Sequence, residues 1–82
     1  MRSMKKNILL VGYDSNIGLG VLACLRNQGF EFYLLTHNAK NAVKYSRYIQ
    51  KTFYYHAAND SLKEKIISVV NQYDIDFIMP YD

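Results

Sequence analysis

The sequence has only one cysteine, one proline and no tryptophan among its 82 residues. The single cysteine, Cys24, excludes a disulfide within the chain, and we expect it to be a small buried apolar side chain of a helix. The longest apolar runs are about five residues, far short of the roughly 20 that a membrane-spanning helix needs. The basic N-terminal residues precede only four apolar residues, Ile8–Val11, whereas a secretory signal needs about 7–15. We therefore expect a cytoplasmic protein with no membrane partner.

The length and the charge further restrict the kinds of protein that this chain can be. A chain of 82 residues allows one domain, and an apolar fraction of 50% excludes disorder. The net charge of +3 is modest. Four basic residues recur every three or four positions, which is typical of the solvated face of a helix: Lys40, Lys44, Arg47 and Lys51. A nucleic-acid surface would interleave such a stripe with exposed aromatic residues, and Tyr45 and Tyr48 are nearby, but we favour the solvated face and expect no nucleic-acid partner.

Apolar patterns alternate between strand and helix periods along the chain. Ile8–Val11 is apolar throughout, which predicts a strand buried on both faces. The strands are predicted at residues 6–12, 30–35, 52–56 and 75–79, and the helices at 17–25, 39–49 and 62–73. Strands that alternate with helices in this way are parallel and joined by right-handed crossovers. We predict an α/β fold, an open three-layer Rossmann-like domain with a four-stranded parallel sheet and helices on both faces.

The ends of two helices carry capping signals. Ser15 or Asn16 is expected to cap the first helix, whose buried face is predicted to contain Ile17, Val21 and Leu25, with Leu22 between them. Ser61 and Glu64 form a capping box before the last helix, with Asp60 as an alternative cap.

A glycine-bearing loop, residues 12–20, joins the first strand to the first helix. Ligands of open α/β sheets bind beside such loops, and the amides there favour anions. The spacing of Gly12, Gly18 and Gly20 matches neither the dinucleotide fingerprint nor a P-loop. The alternative is structural, with Gly12 making a tight turn and the other two glycines allowing close packing. The sequence leaves both interpretations open.

Other candidate residues follow the predicted strands. Thr36, His37 and Asn38 stand where a site for NAD has an acidic residue. Asp14 and Asp82 also come just after strands, where a carboxylate could face a substrate, although Asp14 could equally cap the helix. The histidines are too far apart to predict a metal site, and the sequence assigns no catalytic residue.

Three motifs together resemble a known family. They are Gly18-Leu-Gly-Val-Leu-Ala-Cys-Leu25, Ser46-Arg-Tyr48 and Asp76-Phe-Ile-Met-Pro-Tyr-Asp82. Their order and spacing, over nearly the whole chain, resemble the N-terminal pre-ATP-grasp domain of ATP-grasp ligases. The resemblance is greatest to proteins like the large subunit of carbamoyl-phosphate synthase.

The resemblance implies that residues 1–82 are a non-catalytic N-terminal domain, the first part of a longer chain. The whole protein would be an ATP-dependent ligase that joins a small carboxylate substrate to an amine through an acyl-phosphate. Its later ATP-grasp domains would hold ATP and Mg²⁺, so no cofactor is expected in this part. Substrate contacts are expected at the carboxyl ends of the strands, from Gly12, Tyr13, Asp14, Ser15, Asn16, Thr36, His37, Pro80, Tyr81 and Asp82. The family is often smaller and richer in glycine at residues 13–16, and many members have an acid near residue 37, so the substrate stays open.

Two alternatives belong to other classes. The chain could be a nucleotide- or dinucleotide-binding domain of an oxidoreductase or epimerase, although the glycine spacing and the missing acid argue against it. It could also be a small stand-alone interaction module, for example a homodimer that forms through an open edge of the sheet.

Overall fold

The computed structural model describes residues 5–58 and 60–82. Four parallel strands form one sheet in the order β3-β2-β1-β4. The strands are β1 (Lys6–Val11), β2 (Phe30–Thr36), β3 (Ile49–Tyr54) and β4 (Phe77–Pro80). Helix α1 (Ser15–Leu25) follows β1, a 3-10 turn (Ala42–Tyr45) follows β2, and helix α2 (Leu62–Tyr73) follows β3. The prediction of an α/β fold with a four-stranded parallel sheet is confirmed.

The two faces of the sheet are covered by different helices. Ile8 and Leu10 of β1 face Leu22 of α1, in a cluster that also contains Val43 of the 3-10 turn. Leu9 and Val11 point the other way and pack with Val69 of α2. Because its side chains alternate between two covered faces, β1 is buried on both sides. The predicted three-layer arrangement is therefore confirmed.

Helix α1 begins at the alternative predicted cap, and its buried face differs in part from the prediction. Its N-cap is Asp14, whose carboxylate accepts a 2.8 Å hydrogen bond from the Ile17 amide. The predicted cap Ser15 instead accepts a 2.8 Å hydrogen bond from the Ala42 amide. Leu22 is buried and Val21 and Leu25 pack against the same core, as predicted, whereas Ile17 is 48% exposed and Gly18 is buried instead. The buried line runs through Gly18 because its lack of a side chain lets neighbouring groups approach the helix there.

The predicted helix over residues 39–49 is wrong. Only the 3-10 turn forms, and Tyr45, expected on an apolar face, is 79% exposed. Polar side chains end the turn on both sides: Asn41 accepts from the Val43 amide at 3.0 Å, and Ser46 accepts from the Tyr48 amide at 3.2 Å. Such local bonds compete with helix formation. The basic stripe therefore does not lie on one helical face.

The cap of helix α2 agrees with the prediction, whereas the position of the cysteine does not. Ser61 caps α2, accepting a 3.4 Å hydrogen bond from the Glu64 amide as predicted, and Asp60 lies outside the helix. Cys24 is exposed on α1, so the expectation of a buried cysteine is wrong. Within the residues that the structure describes, no helix has both the length and the apolarity needed to cross a membrane.

The two edges of the sheet differ in character. The edge strand β3 carries Lys51, and its pairing with β2 has a register irregularity between Phe32 and Tyr33. Charged side chains and bulges of this kind protect an edge from pairing with another chain. The edge strand β4 has no charged residue, and its side chains Phe77 and Ile78 are 51% and 47% exposed. The β3 edge is therefore protected by a charge and a bulge, whereas the β4 edge is protected only by its length of four residues and by Pro80.

Candidate functional site

The carboxyl ends of β1 and β4 meet at the point where the strand order reverses. The chain moves outward from β1 through β2 to β3, and then crosses to the far side of β1 to form β4. In open α/β sheets this reversal opens a crevice at the carboxyl ends of the strands, where ligands bind. Here the crevice lies between the loop that starts at Gly12 and the residues that follow Pro80.

Tyr81 fills this crevice. Pro80 has no N–H, and the amide of Tyr81 donates a 2.9 Å hydrogen bond to the Val11 carbonyl. The Tyr81 ring then lies directly over the loop. A Cβ added to Gly12 would be 2.5 Å from the ring, and one added to Gly18 would be 2.8 Å from it. Both glycines are therefore positions at which a side chain would collide with Tyr81.

The third glycine of the loop has no such role. A Cβ added to Gly20 would meet nothing within 4 Å. The structural interpretation of the loop is thus confirmed for the close packing of Gly18 and wrong for Gly20.

Asp82 occupies the backbone amides of the loop. Its carboxylate accepts hydrogen bonds from the Tyr13 amide, at 3.0 Å to each oxygen, and from the Asp14 amide at 2.7 Å. Successive amides that point at one place form a concave site for an anion. The loop therefore holds a carboxylate, and the carboxylate that it holds belongs to this chain.

A buried asparagine joins the two sides of the crevice. Asn41 is 0% exposed, and its side-chain nitrogen lies 2.8 Å from the Tyr81 hydroxyl, 3.3 Å from the Thr36 hydroxyl and 3.4 Å from the Gly12 carbonyl. Thr36 is also fully buried. The sequence pattern does not mark Asn41 as a site residue. Its one signal was a capping type of residue placed just before the short apolar segment that begins at Ala42.

Asn38 holds the outer part of the loop. Its side-chain nitrogen donates a 3.1 Å hydrogen bond to the Tyr13 carbonyl, and its backbone amide donates a 3.1 Å hydrogen bond to the Thr36 hydroxyl. The segment after β2 is in this way tied to the loop after β1.

Three rings form a row on the outer side of the crevice. The His37 ring lies 5.4 Å from the Tyr13 ring and 5.5 Å from the Tyr55 ring, measured between centroids. Tyr13 is 50% exposed, so the row is open to solvent at that end. His56 lies apart from the row, and its amide donates a 2.7 Å hydrogen bond to Asp60. Such a row can pack against a planar or apolar part of a ligand.

Burial raises the pKa of two tyrosines at the crevice. For Tyr81 the charges of Asp82 and Asp14 raise the pKa further, and the hydrogen bond from Asn41 opposes them. For Tyr55 burial is the larger cause and the charge of Asp82 adds to it. Both hydroxyls are consequently harder to ionise than that of an ordinary tyrosine.

The structure brings most of the predicted site residues together. Those at the crevice are Gly12, Tyr13, Asp14, Thr36, His37, Tyr81 and Asp82. Ser15 is turned toward the 3-10 turn, Asn16 is exposed in the first turn of α1, and Pro80 ends β4 with an exposed ring. Among residues 5–58 and 60–82, no group of three or more potential ligands could hold a metal ion. The arrangement can hold an anionic group on backbone amides with aromatic rings beside it.

Comparison with protein-family models and with curated proteins found no match to this chain.

Proposed function

We propose that the chain is the non-catalytic, N-terminal pre-ATP-grasp domain of a cytoplasmic ATP-dependent carboxylate–amine ligase. In this proposal its crevice contributes contacts to a small carboxylate substrate. ATP and Mg²⁺ are bound by later ATP-grasp domains of the same chain. The observation that carries the proposal is the carboxylate of Asp82 on the amides of Tyr13 and Asp14, at the switch point of the sheet.

The chemistry of that contact suits a substrate carboxylate. Backbone amides offer fixed donors with no counter-charge, and each hydrogen bond to a carboxylate is stronger than one between neutral groups. A substrate carboxylate would take the place of the Asp82 side chain on the same donors. The neighbouring His37 and Tyr13 rings would then lie against the rest of the substrate.

The exposed apolar side chains of β4 support the interdomain part of the proposal. Phe77 and Ile78 are half exposed, and no charged side chain on β4 discourages pairing. A following part of the same ligase would bury these side chains and pair with the free edge.

The proposal is tested first by reading the gene past the codon for Asp82. We expect several hundred further residues with a glycine-rich loop, lysines and late acidic metal ligands. The purified full-length protein should then form ADP only when both a carboxylate and an amine are present. The 82-residue chain alone should give no heat of binding with Mg-ATP in calorimetry. A frame that stops near residue 82, or tight binding of Mg-ATP by this chain, would contradict the proposal.

The sheet order also favours a second candidate, a nucleotide- or dinucleotide-binding domain. The order β3-β2-β1-β4 with a glycine-bearing loop after β1 is that of a mononucleotide-binding half. Against it, Tyr81 occupies the space over Gly12 and Gly18 that a pyrophosphate would need. Saturable, micromolar enhancement of NADH fluorescence would favour this candidate over the ligase domain.

The exposed β4 edge is likewise compatible with a stand-alone interaction module. Such a module would form a defined homodimer through this edge. Light scattering on the chain distinguishes a dimer from a monomer, and a dimer encoded by a frame that ends near residue 82 would favour the module.

A further inference from the structure

The charges of the chain are segregated along the sequence. Residues 32–59 contain four of the ten basic residues and none of the seven acidic ones. The basic residues of this segment were expected on a helix, but they lie on the 3-10 turn, the loops around it and β3. The solvated face of a helix therefore does not explain why these basic residues occur together.

Two arginines of this region pack against one tyrosine ring. The guanidinium carbon of Arg47 is 5.2 Å from the Tyr48 ring centroid, and that of Arg26, at the end of α1, is 6.0 Å from it. Arg47 also donates a 3.1 Å hydrogen bond to the Tyr48 hydroxyl. This bond and the charges of both arginines lower the pKa of Tyr48. Two positive groups are thus held on one ring.

Within the described part of the chain, the two arginines have no acidic partner. Arg26 and Arg47 are exposed, and no ion pair joins either of them to a carboxylate among the residues that the structure describes. Lys44 lies three residues before Arg47, with its ammonium 4.9 Å from the ring centroid of Tyr45. Like charges held close together repel one another, and an anion placed between them would relieve that repulsion.

We propose that this arginine–tyrosine surface, made of Arg26, Lys44, Tyr45, Arg47 and Tyr48, binds an acidic segment of a partner protein. Guanidinium groups bind carboxylates through paired hydrogen bonds. Arginine and tyrosine are also the residue types on which protein interfaces most depend. The charge of the surface therefore selects Asp- and Glu-rich partners.

The rings argue against single-stranded nucleic acid as the partner. Such binding needs a run of open aromatic faces on which successive bases stack. The Tyr48 ring is already covered by two guanidiniums, and the 79% exposed Tyr45 ring has the Lys44 ammonium over it, so this surface offers no run of open rings. Arg26, Arg47 and Tyr48 lie at the C-terminal end of α1, whereas the crevice lies at its N-terminal end, so this proposal does not depend on the ligase proposal.

The test is a titration of the chain with a fluorescein-labelled polyglutamate peptide at low ionic strength, followed by anisotropy. We expect saturable binding that weakens about three- to tenfold in Arg26→Gln and in Arg47→Gln. Lys63→Gln on α2 removes the same charge from another exposed position and should leave binding unchanged. Circular dichroism of each variant shows that the fold is intact.

Three results would overturn the proposal. The first is the absence of saturable binding. The second is an equal loss of affinity in Lys63→Gln, which would mean that net charge alone drives binding. The third is tighter binding of an oligothymidylate of equal charge than of polyglutamate, which would identify a nucleic-acid surface instead.

Discussion

The side chain of Asn41 donates a 2.8 Å hydrogen bond to the hydroxyl of Tyr81, although the two residues are 40 positions apart. Asn41 comes from the segment after β2, and Tyr81 follows β4. This bond therefore links opposite sides of the crevice beneath the loop after β1.

Replacing Asn41 with alanine should destabilise the fold. The change removes the donor to Tyr81, Thr36 and the Gly12 carbonyl from a fully buried position. We expect the free energy of unfolding to fall by about 1–3 kcal/mol, measured by urea denaturation. Asn71→Ala makes the same change at an exposed position of α2 and should stay within about 0.5 kcal/mol of the unchanged chain. Equal effects of the two variants would contradict the buried network.

Alanine should have opposite effects at two glycines of the same helix. In Gly18→Ala the new Cβ would lie 2.6 Å from a Val43 methyl group and 2.8 Å from the Tyr81 ring, which should cost about 1–3 kcal/mol. In Gly20→Ala the Cβ meets nothing, so the higher helix propensity of alanine should stabilise the fold by up to about 1 kcal/mol. Thermal denaturation of the two variants and the unchanged chain measures both changes in stability. A stabilising Gly18→Ala would mean that Tyr81 does not occupy the crevice.

Removal of the Asp82 carboxylate should expose the loop amides. In Asp82→Ala the Tyr13 and Asp14 amides lose their acceptor, so their hydrogen exchange should become faster. Asp82→Asn keeps one acceptor oxygen without the charge and should give an intermediate rate. Glu31→Gln serves as the control, because Glu31 lies on β2 away from the loop and should leave both rates unchanged. Exchange that is slow in all variants would show that another group holds these amides.

Alkaline pH should destabilise the fold through Tyr81. The pKa of this hydroxyl is raised by burial from its ordinary value of 10.0. The folded chain therefore retains a proton that the unfolded chain loses, so the stabilisation is complete below pH 10.0 and is lost as the pH rises through the higher folded pKa.

Denaturation curves measured from neutral pH to well above pH 10.0 test this dependence. Tyr81→Phe should show a shallower loss of stability with pH, because the titrating hydroxyl is gone. Tyr45→Phe, at a 79% exposed ring, should retain the original slope. A slope that Tyr81→Phe leaves unchanged would assign the alkaline loss to Tyr33 or Tyr55, whose pKa values burial also raises.

Secondary structure could be predicted from the sequence where it depends on local chemistry. The continuous apolar run Ile8–Val11 can only be satisfied by a strand covered on both faces, and Ser61 is a strong N-cap whichever way α2 packs. The segment after β2 could not be predicted in the same way. Its helical spacing competes with side-chain bonds from Asn41 and Ser46 that become visible only in the fold.

The position of the candidate site could be predicted from the sequence, but the contacts among its residues could not. Parallel strands bring their carboxyl ends to one edge, so the loop after β1 and the residues after β4 had to meet there. That Tyr81 lies on Gly12 and Gly18 depends on how the chain turns after Pro80, which spacing does not encode. The role of Asn41 likewise requires three strands to be assembled first.

The Asp82 carboxylate on the loop has a consequence for any ligand that uses the same amides. A group tethered to its own site competes as though it were present at high local concentration, of the order of millimolar for short flexible connections. A free carboxylate in solution must exceed that internal competitor before it occupies the amides of Tyr13 and Asp14. Occupancy of the crevice is thus governed as much by how firmly the residues after β4 stay in place as by the affinity of the ligand.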